Sequence, residues 1–333
     1  DPDWAEKIIE TVGTNRIIAY TRNPWTKQCF GKSGMEVAKN ELYFGISSTA
    51  VRRRIREGGR WESLVPPFVA KWLLANKGLE RVEYLAIPPE KRIVSFIRQK
   101  VREAKAGGCI VGVSGGVDSS VMAILAKRAL GKKARFFYMP ANGRRSENIG
   151  LLRNFLEIEE ISLKGIYWEF LKNLPDADRV AKGNLQSRLR MAALYYFANR
   201  EKLIVVGTTN RTELELGYFT KYGDGGVDIE PLAGFYKTEI FALAKRLKIP
   251  DGIIESPPTA GLWEGQTDEG ELGLTYFQID LILKLKAQGF EKKDISALTN
   301  IPPPKINLIY GRIRDNRHKL ETPPFCKARP NDF

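Results

Sequence analysis

Residues 111–120 read Val-Gly-Val-Ser-Gly-Gly-Val-Asp-Ser-Ser, at a point where a short apolar run gives way to helical spacing. Residues 109–113 have the character of a buried strand, and residues 121–130 are apolar at the period of a helix. Gly112, Gly115 and Gly116 let backbone come close to a ligand or take positive φ. Ser114, Ser119 and Ser120 add hydroxyls, and the helix N-terminus adds free N–H groups and the positive end of its dipole. The segment is an anion cradle. Asp118 would repel a phosphate unless it holds a divalent cation that bridges to it.

No Gly-Lys-Ser/Thr follows, so this is not a Walker loop. Ser114-Gly115-Gly116-Val117-Asp118-Ser119 resembles the loop of the ATP pyrophosphatase (PP-loop) superfamily. That resemblance implies cleavage of ATP to AMP and pyrophosphate to activate an oxygen.

A chain of 333 residues with 43% hydrophobic content has room for two domains and a proper core. No apolar stretch reaches membrane-spanning length and no apolar signal region opens the sequence, so a membrane role is not expected. Cys29, Cys109 and Cys326 are far apart, odd in number and without metal-ligand spacing, which suits a reducing cytoplasm. The net charge of +14 fits nucleic-acid binding, a site for nucleotides with several phosphates, or a basic solvated surface. The last two are favoured, because the longest basic run, Arg52–Arg54, carries no interleaved aromatics. Nucleic acid is therefore not an expected partner.

A strand at 109–113, helix at 119–130, strand at 134–139, helices at 146–157 and near 178–199, and a strand at 203–207 alternate. That order predicts an α/β fold with a parallel, doubly wound sheet. Ligands then sit beyond the carboxyl ends of the strands, where the cradle and Gly207-Thr208-Thr209-Asn210 both lie. The expected division is a smaller α/β region at 1–86, a linker helix within 87–108 and the main domain at 109–333. The Pro-rich stretches at 302–304 and 323–324 read as an extended tail.

Residues 205–239 are dense in carboxylates, glycines and isolated lysines. Glu213 is a candidate second metal ligand beside Asp118, and Lys221 and Lys237 can neutralise phosphate. Asp224 and Asp228 can accept hydrogen bonds from ribose or from an incoming nitrogen.

Gly-Tyr-Phe-Thr-Lys-Tyr-Gly-Asp-Gly-Gly at 217–226 resembles the hallmark of ammonia-dependent NAD synthetases. Lys182-Gly183-Asn184 with Arg188 and Arg190-Met191, Pro258-Thr259-Ala260 before Gly265-Gln266-Thr267-Asp268-Glu269, and Asn316-Arg317-His318-Lys319-Leu320 are similar to the same family, in order. The resemblance implies an adenine nucleotide alpha hydrolase-like fold and a ligase for the final step of NAD biosynthesis. The expected reaction takes deamido-NAD, ATP and ammonia to NAD, AMP and pyrophosphate through an acyl-adenylate. It places ATP on Gly112, Val113, Ser114, Gly115, Gly116, Val117, Asp118, Ser119, Thr208, Lys237 and Thr259, and Mg²⁺ on Asp118 and Glu213. Arg190, Lys221, Asp228, His318 and Lys319 would meet deamido-NAD, and Asp224 would lie near the ammonia. Asp118, Glu213, Asp224 and Lys237 are thus the expected catalytic set. A homodimer is implied as well. Nothing resembles a glutamine amidohydrolase, so free ammonia is the expected donor, with a separate glutaminase as an alternative source. Two rival readings, a tRNA-modifying enzyme on the same fold and a nucleotide sensor, suit the 217–226 block and the Asp118, Glu213, Lys237 set less well.

In the first 86 residues, Tyr20-Thr21-Arg22-Asn23-Pro24 and Gly45-Ile46-Ser47-Ser48-Thr49-Ala50-Val51-Arg52 resemble the C-terminal half of mononucleotide adenylyltransferases. Ser47, Ser48, Thr49 and Arg52 would cap phosphates there. The histidine loop that family needs is missing, since the one histidine is His318. The region therefore reads as a truncated piece of a larger bifunctional protein, with no adenylyltransferase activity expected.

Overall fold

The strand core follows from residues too apolar to face water on either side. The computed structural model describes residues 87–324 and residue 326, and before them only short pieces between residues 18 and 74. The chain divides into two units, Asp1–Pro88 and Pro89–Phe333. In the first, β1 (Ile18–Ala19) pairs in parallel with β2 (Glu36–Val37), and Val51, Ile55, Trp61 and Ala70 bury one another. Tyr20 to Pro24, and Ser47, Ser48, Thr49 and Arg52, lie outside the described residues.

The second unit opens with α1 (Pro89–Glu103), whose Ile93, Ile97 and Val101 are buried, and continues into β3 (Gly108–Gly112). Cys109 and Val111 of β3 face one apolar layer, with α1 and α2 (Val117–Leu130). Ile110 faces the other, with β4 (Ala134–Tyr138), α4 (Lys164–Lys172), α5 (Arg179–Glu201) and β6 (Leu203–Val206). The same burial pushes the Cys109 thiol up to about 12, which makes it a packing residue.

Between β4 and α4 stand α3 (Asn148–Arg153) and β5 (Ile158–Glu160). The sheet is parallel throughout, in the order β5-β4-β3-β6. The chain leaves β3 toward β4 on one side and later returns to β6 on the other. The carboxyl end of β3 is therefore a topological switch point, where such sheets bind ligands.

After β6 come α6 (Arg211–Leu216) and α7 (Lys237–Leu247), then α8 (Asp251–Ile254) and α9 (Asp268–Leu272). The helices α10 (Tyr276–Ala287), α11 (Lys292–Thr299) and α12 (Pro303–Asp315) close the unit around their own apolar cluster.

The sequence expectations differ from this in two places. The helix expected at 146–157 is only α3, because Asn154 ends it and residues 158–160 pair with β4 as an edge strand. The outward residues of that edge are acidic, which hid it from an apolar pattern. The prolines at 302–304 do not begin an extended tail. Pro303 and Pro304 start α12, where a missing N–H costs nothing because the first helical amides have no partner anyway.

Candidate active site

The cradle forms at the switch point as the β3–α2 turn. Gly115 has φ +90, and a Cβ there would stand 2.3 Å from Ser146 Oγ, so glycine is required twice over. The serines lock the turn from within. The Ser114 amide donates to Ser119 Oγ at 3.2 Å, the Gly116 amide to Ser114 Oγ at 3.1 Å, and Ser120 Oγ donates to Gly116 O at 2.7 Å. Asn148 Nδ2 holds Gly115 O from the far side at 3.1 Å.

Asp118, in the first turn of α2, meets two residues from distant segments. Lys237 Nζ donates to Asp118 Oδ2 at 2.5 Å and to Glu213 Oε1 at 3.2 Å. Asn210 Nδ2 donates to Asp118 Oδ1 at 2.9 Å. Asn210 and Glu213 form a capping box that starts α6, which aims Glu213 back toward β6. Lys237 begins α7, where its amide donates to Thr212 Oγ1 at 2.9 Å and its ammonium lies 4.8 Å from the Tyr276 ring centre. The Lys237 side chain is 3% exposed.

Burial opposes the lysine's charge, but Asp118 and Glu213 outweigh it and hold the ammonium charged. Burial pushes the Glu213 carboxyl up to about 8, and Asp118 and Asp268 push the same way against Lys237. Among the described residues no cluster of three or more carboxylate, histidine or cysteine side chains could hold a metal. Two carboxylates at a phosphate cradle nevertheless suit Mg²⁺, which takes few protein ligands and completes its shell with water and substrate phosphates.

Asp224 lies in the tight turn at 220–226. The Ser187 hydroxyl and the Thr220 amide both donate to its Oδ1, at 2.7 and 2.9 Å, while the Asp224 amide donates to Ser187 Oγ. Gly223 has no side chain because a Cβ would meet Ser187 Oγ at 2.5 Å. Arg190 donates to Met139 O at 2.9 Å; burial presses down on its guanidinium's pKa and Asp224 opposes that.

The 217–226 block and the C-terminal segment are stitched together by the two lysines expected at the substrate. Lys221 Nζ donates to His318 O at 2.5 Å, and Lys319 Nζ to Gly217 O at 2.6 Å and Phe219 O at 2.9 Å.

Not every expected residue points into the cradle. Asp228 takes the Val205 amide at 2.7 Å on Oδ2 and the Tyr195 hydroxyl at 3.1 Å on Oδ1, so it ties β6 to α5. His318 is exposed, with Nδ1 3.1 Å from Asp315 O. Thr259 accepts from the Gly261 amide within its own loop. Thr208 sits between Gly207 and Thr209 at the end of β6, beside Asn210.

Sequence reasoning overlooked Asn210, although Asn-x-x-Glu before a helix signals a capping box. It also overlooked Ser187, Tyr276 and Glu230. Asp268 is buried, accepting from the hydroxyls of Tyr276 at 2.9 Å and Tyr218 at 3.2 Å. Nothing local marked it as different from its half-buried acidic neighbours Glu269 and Glu271.

The model of the NAD synthase family matches residues 90–323. The NH3-dependent NAD+ synthetase of Methanosarcina acetivorans is 44% identical over 245 residues, which cover 71% of this chain and 96% of the relative. The enzyme of the same name from Methanocaldococcus jannaschii is 44% identical over 244 residues, 70% of this chain and 94% of that one. Among solved structures, the NMN synthetase of Francisella tularensis aligns with a TM-score of 0.64 at 32% identity, covering 73% of this chain and 98% of that chain. The NH3-dependent NAD synthetase of Campylobacter jejuni aligns with a TM-score of 0.60 at 30% identity, covering 72% and 98%. With the cradle, the Asp118–Lys237–Glu213 contact and the 217–226 turn in one unit, and the family's span matching that unit almost end to end, the chain belongs to the NAD synthase family.

Proposed function

We propose that this chain makes NAD from deamido-NAD, ATP and ammonia, with AMP and pyrophosphate as by-products. The observation that carries the reading is the buried Lys237 ammonium held between Asp118 and Glu213 at the mouth of the serine–glycine cradle. It supplies a mobile cation and two metal-ligating carboxylates where a triphosphate would lie.

The carboxylate of the substrate's nicotinate ring attacks the α-phosphorus of ATP, and pyrophosphate leaves. Ammonia then attacks the acyl carbon of the adenylate, and AMP departs with the electron pair. Residues 112–119 receive phosphate at the α2 N-terminus, through the amides that the cradle's own hydrogen bonds do not engage. Thr208 and Thr259 flank the nucleotide. Lys237 moves from its carboxylate partners to the phosphates and stabilises the charge that grows on the leaving group. Asp118 and Glu213 are the residues that would hold Mg²⁺, which when bound would supply positive charge against the phosphates. Arg190, Lys221 and Lys319 supply positive charge for the dinucleotide and His318 a ring nitrogen, with Asp228 anchored on the Val205 amide of β6. Asp224, fixed by Ser187 and Thr220, accepts a proton from ammonium.

We also infer a homodimer. Ile166, Trp168 and Phe170 on α4, and Val180 and Tyr196 on α5, are each about half exposed or more, and that much apolar surface on two adjacent helices suits a second copy. The donor is free ammonia, from solution or from a separate glutaminase. The setting we infer is cytoplasmic, a compartment that suits the buried Cys109 thiol, which forms no disulfide. Residues 1–86 are a nucleotidyltransferase-like region.

The test is AMP and pyrophosphate release with ATP, Mg²⁺, ammonium and either deamido-NAD or the nicotinate mononucleotide. NAD formed one-for-one with AMP supports the reading. Turnover of the mononucleotide alone would keep the chemistry and change the substrate. AMP release only on addition of tRNA would overturn it.

A further inference from the structure

Glu230 is a half-buried residue that the proposed chemistry does not use. Val206 and Ile229 form a parallel bridge, and the Gly207 amide donates to Ile229 O at 2.8 Å, so residues 228–230 run beside the end of β6. Across that short ladder the carboxyl lies over Gly207. A Cβ built on Gly207 would stand 2.3 Å from Cδ, Oε1 and Oε2 of Glu230, its three nearest atoms. Gly207 does not have positive φ, so its backbone gives no reason for glycine. The carboxyl does. One residue further on, the Thr209 amide donates to Glu230 Oε2 at 3.1 Å. The carboxyl thus grips both sides of Thr208, and the next residue is Asn210, which holds Asp118 and caps Glu213's helix.

We propose that Glu230 is a positioning residue for the nucleotide loop, its carboxyl setting the path of residues 207–210 so that Thr208 and Asn210 meet ATP and its metal. The proposal rests on reading the cradle as an ATP site.

Charge pairing does not explain why the group is there. Among the described residues Glu230 makes no ion pair, and the ionisable groups that bear on it, Asp224 and Glu213, share its sign. Shape and one amide bond explain it better. A neutral acid can make that bond without repelling phosphate, and burial favours the neutral form. The pair behaves as one part: a large acid at 230 needs no side chain at 207.

The test is calorimetric binding of ATP·Mg²⁺ to the full chain and four variants, with deamido-NAD binding and melting temperature measured alongside. E230A leaves the Thr209 amide unbonded and the loop free, and weakens ATP·Mg²⁺ about tenfold. G207A keeps the acid but expels it, and weakens binding by a similar factor. G207A/E230A is no worse than the weaker single variant, because the new methyl then has room. E230Q keeps the acceptor and restores binding to within about threefold of wild type. Deamido-NAD binding stays level throughout, which a general loss of structure would not allow. The proposal is overturned if E230A binds ATP·Mg²⁺ as wild type does, if the two single effects add, or if both ligands weaken together. Wild-type protein that does not bind ATP·Mg²⁺ overturns the ATP-site reading and this inference with it. Wild-type binding that E230A leaves unchanged overturns this inference alone.

Discussion

Lys237 donates to Asp118 at 2.5 Å across 119 residues of sequence. The lysine stands where two carboxylates converge, so it is their counter-ion and, in the function proposed, a catalytic cation as well. Lys237→Ala removes both roles. Turnover should fall at least about a hundredfold, since one preorganised charge at a developing anion is worth that much. Stability should fall by about 3–5 kcal/mol, the usual cost of leaving a buried charge without its partner. Mg²⁺ should then raise the melting temperature of the variant more than that of wild type, because the metal replaces the lost ammonium. Equal Mg²⁺ responses in thermal melts would contradict the assignment of Asp118 and Glu213 to the metal.

Asp118→Ala and Glu213→Ala should each abolish pyrophosphate release, as should EDTA treatment of wild type. Deamido-NAD binding should persist in all three cases. Near-normal turnover by either variant at saturating Mg²⁺ would sink the metal assignment.

Lys221 holds the His318 carbonyl in the absence of substrate. In the function proposed, Lys221 exchanges that bond for a phosphate of deamido-NAD. Lys221→Ala should raise the apparent KM for deamido-NAD about tenfold, the value of one charge-assisted hydrogen bond, and leave the KM for ATP within a factor of two or so. Steady-state kinetics with each substrate varied in turn separates the two.

The Glu230 carboxyl is pushed up to about 8, first by burial and then by Asp224 and Glu213, against an ordinary value of 4.5. A raised carboxyl binds its proton more tightly in the folded state than in the unfolded state. Its contribution is therefore complete below about pH 4.5 and lost as pH rises toward 8. Glu230→Gln keeps the shape and removes the titration. The melting temperature of the variant should rise relative to wild type between pH 5 and pH 8, because wild type loses up to about 1.4 kcal/mol per pH unit there. A pH-independent difference would show that the group does not titrate in that window.

Trp168 and Ile166 project from α4 with 48% and 52% of their surfaces exposed. If a second copy covers them, Trp168→Glu with Ile166→Glu should convert a dimer to a monomer in sedimentation. A monomeric wild type would end the dimer proposal.

The cradle was legible because its signal is local. Gly115 and its serines are what a strand-to-helix turn around an anion needs, whatever the rest of the fold does. The parallel sheet was legible from strands and helices in alternation, and β3, β4 and β6 lie within a residue or so of their expected positions. The 217–226 block was equally plain, since Gly223 and Gly225 admit only neighbours that would strike a Cβ. The prolines at 302–304 misled because the same residue breaks a helix inside and starts one at its first turn.

The sequence by itself determined the chemistry on offer: which residues can cradle phosphate, and which carboxylates and lysines are available to a metal and a polyanion. Only the tertiary structure decided which of them meet. The order β5-β4-β3-β6 brings the end of β3 beside the end of β6, and so Asp118 beside Asn210 and Glu213. Packing of α7 against α2 and α10 then delivers Lys237 between the carboxylates. The same packing turned Asp228 toward the β6 backbone and buried Asp268 under two tyrosines. Hydrophobic periodicity specifies which face of an element goes inside, but a charged side chain finds its partner only after those faces have packed.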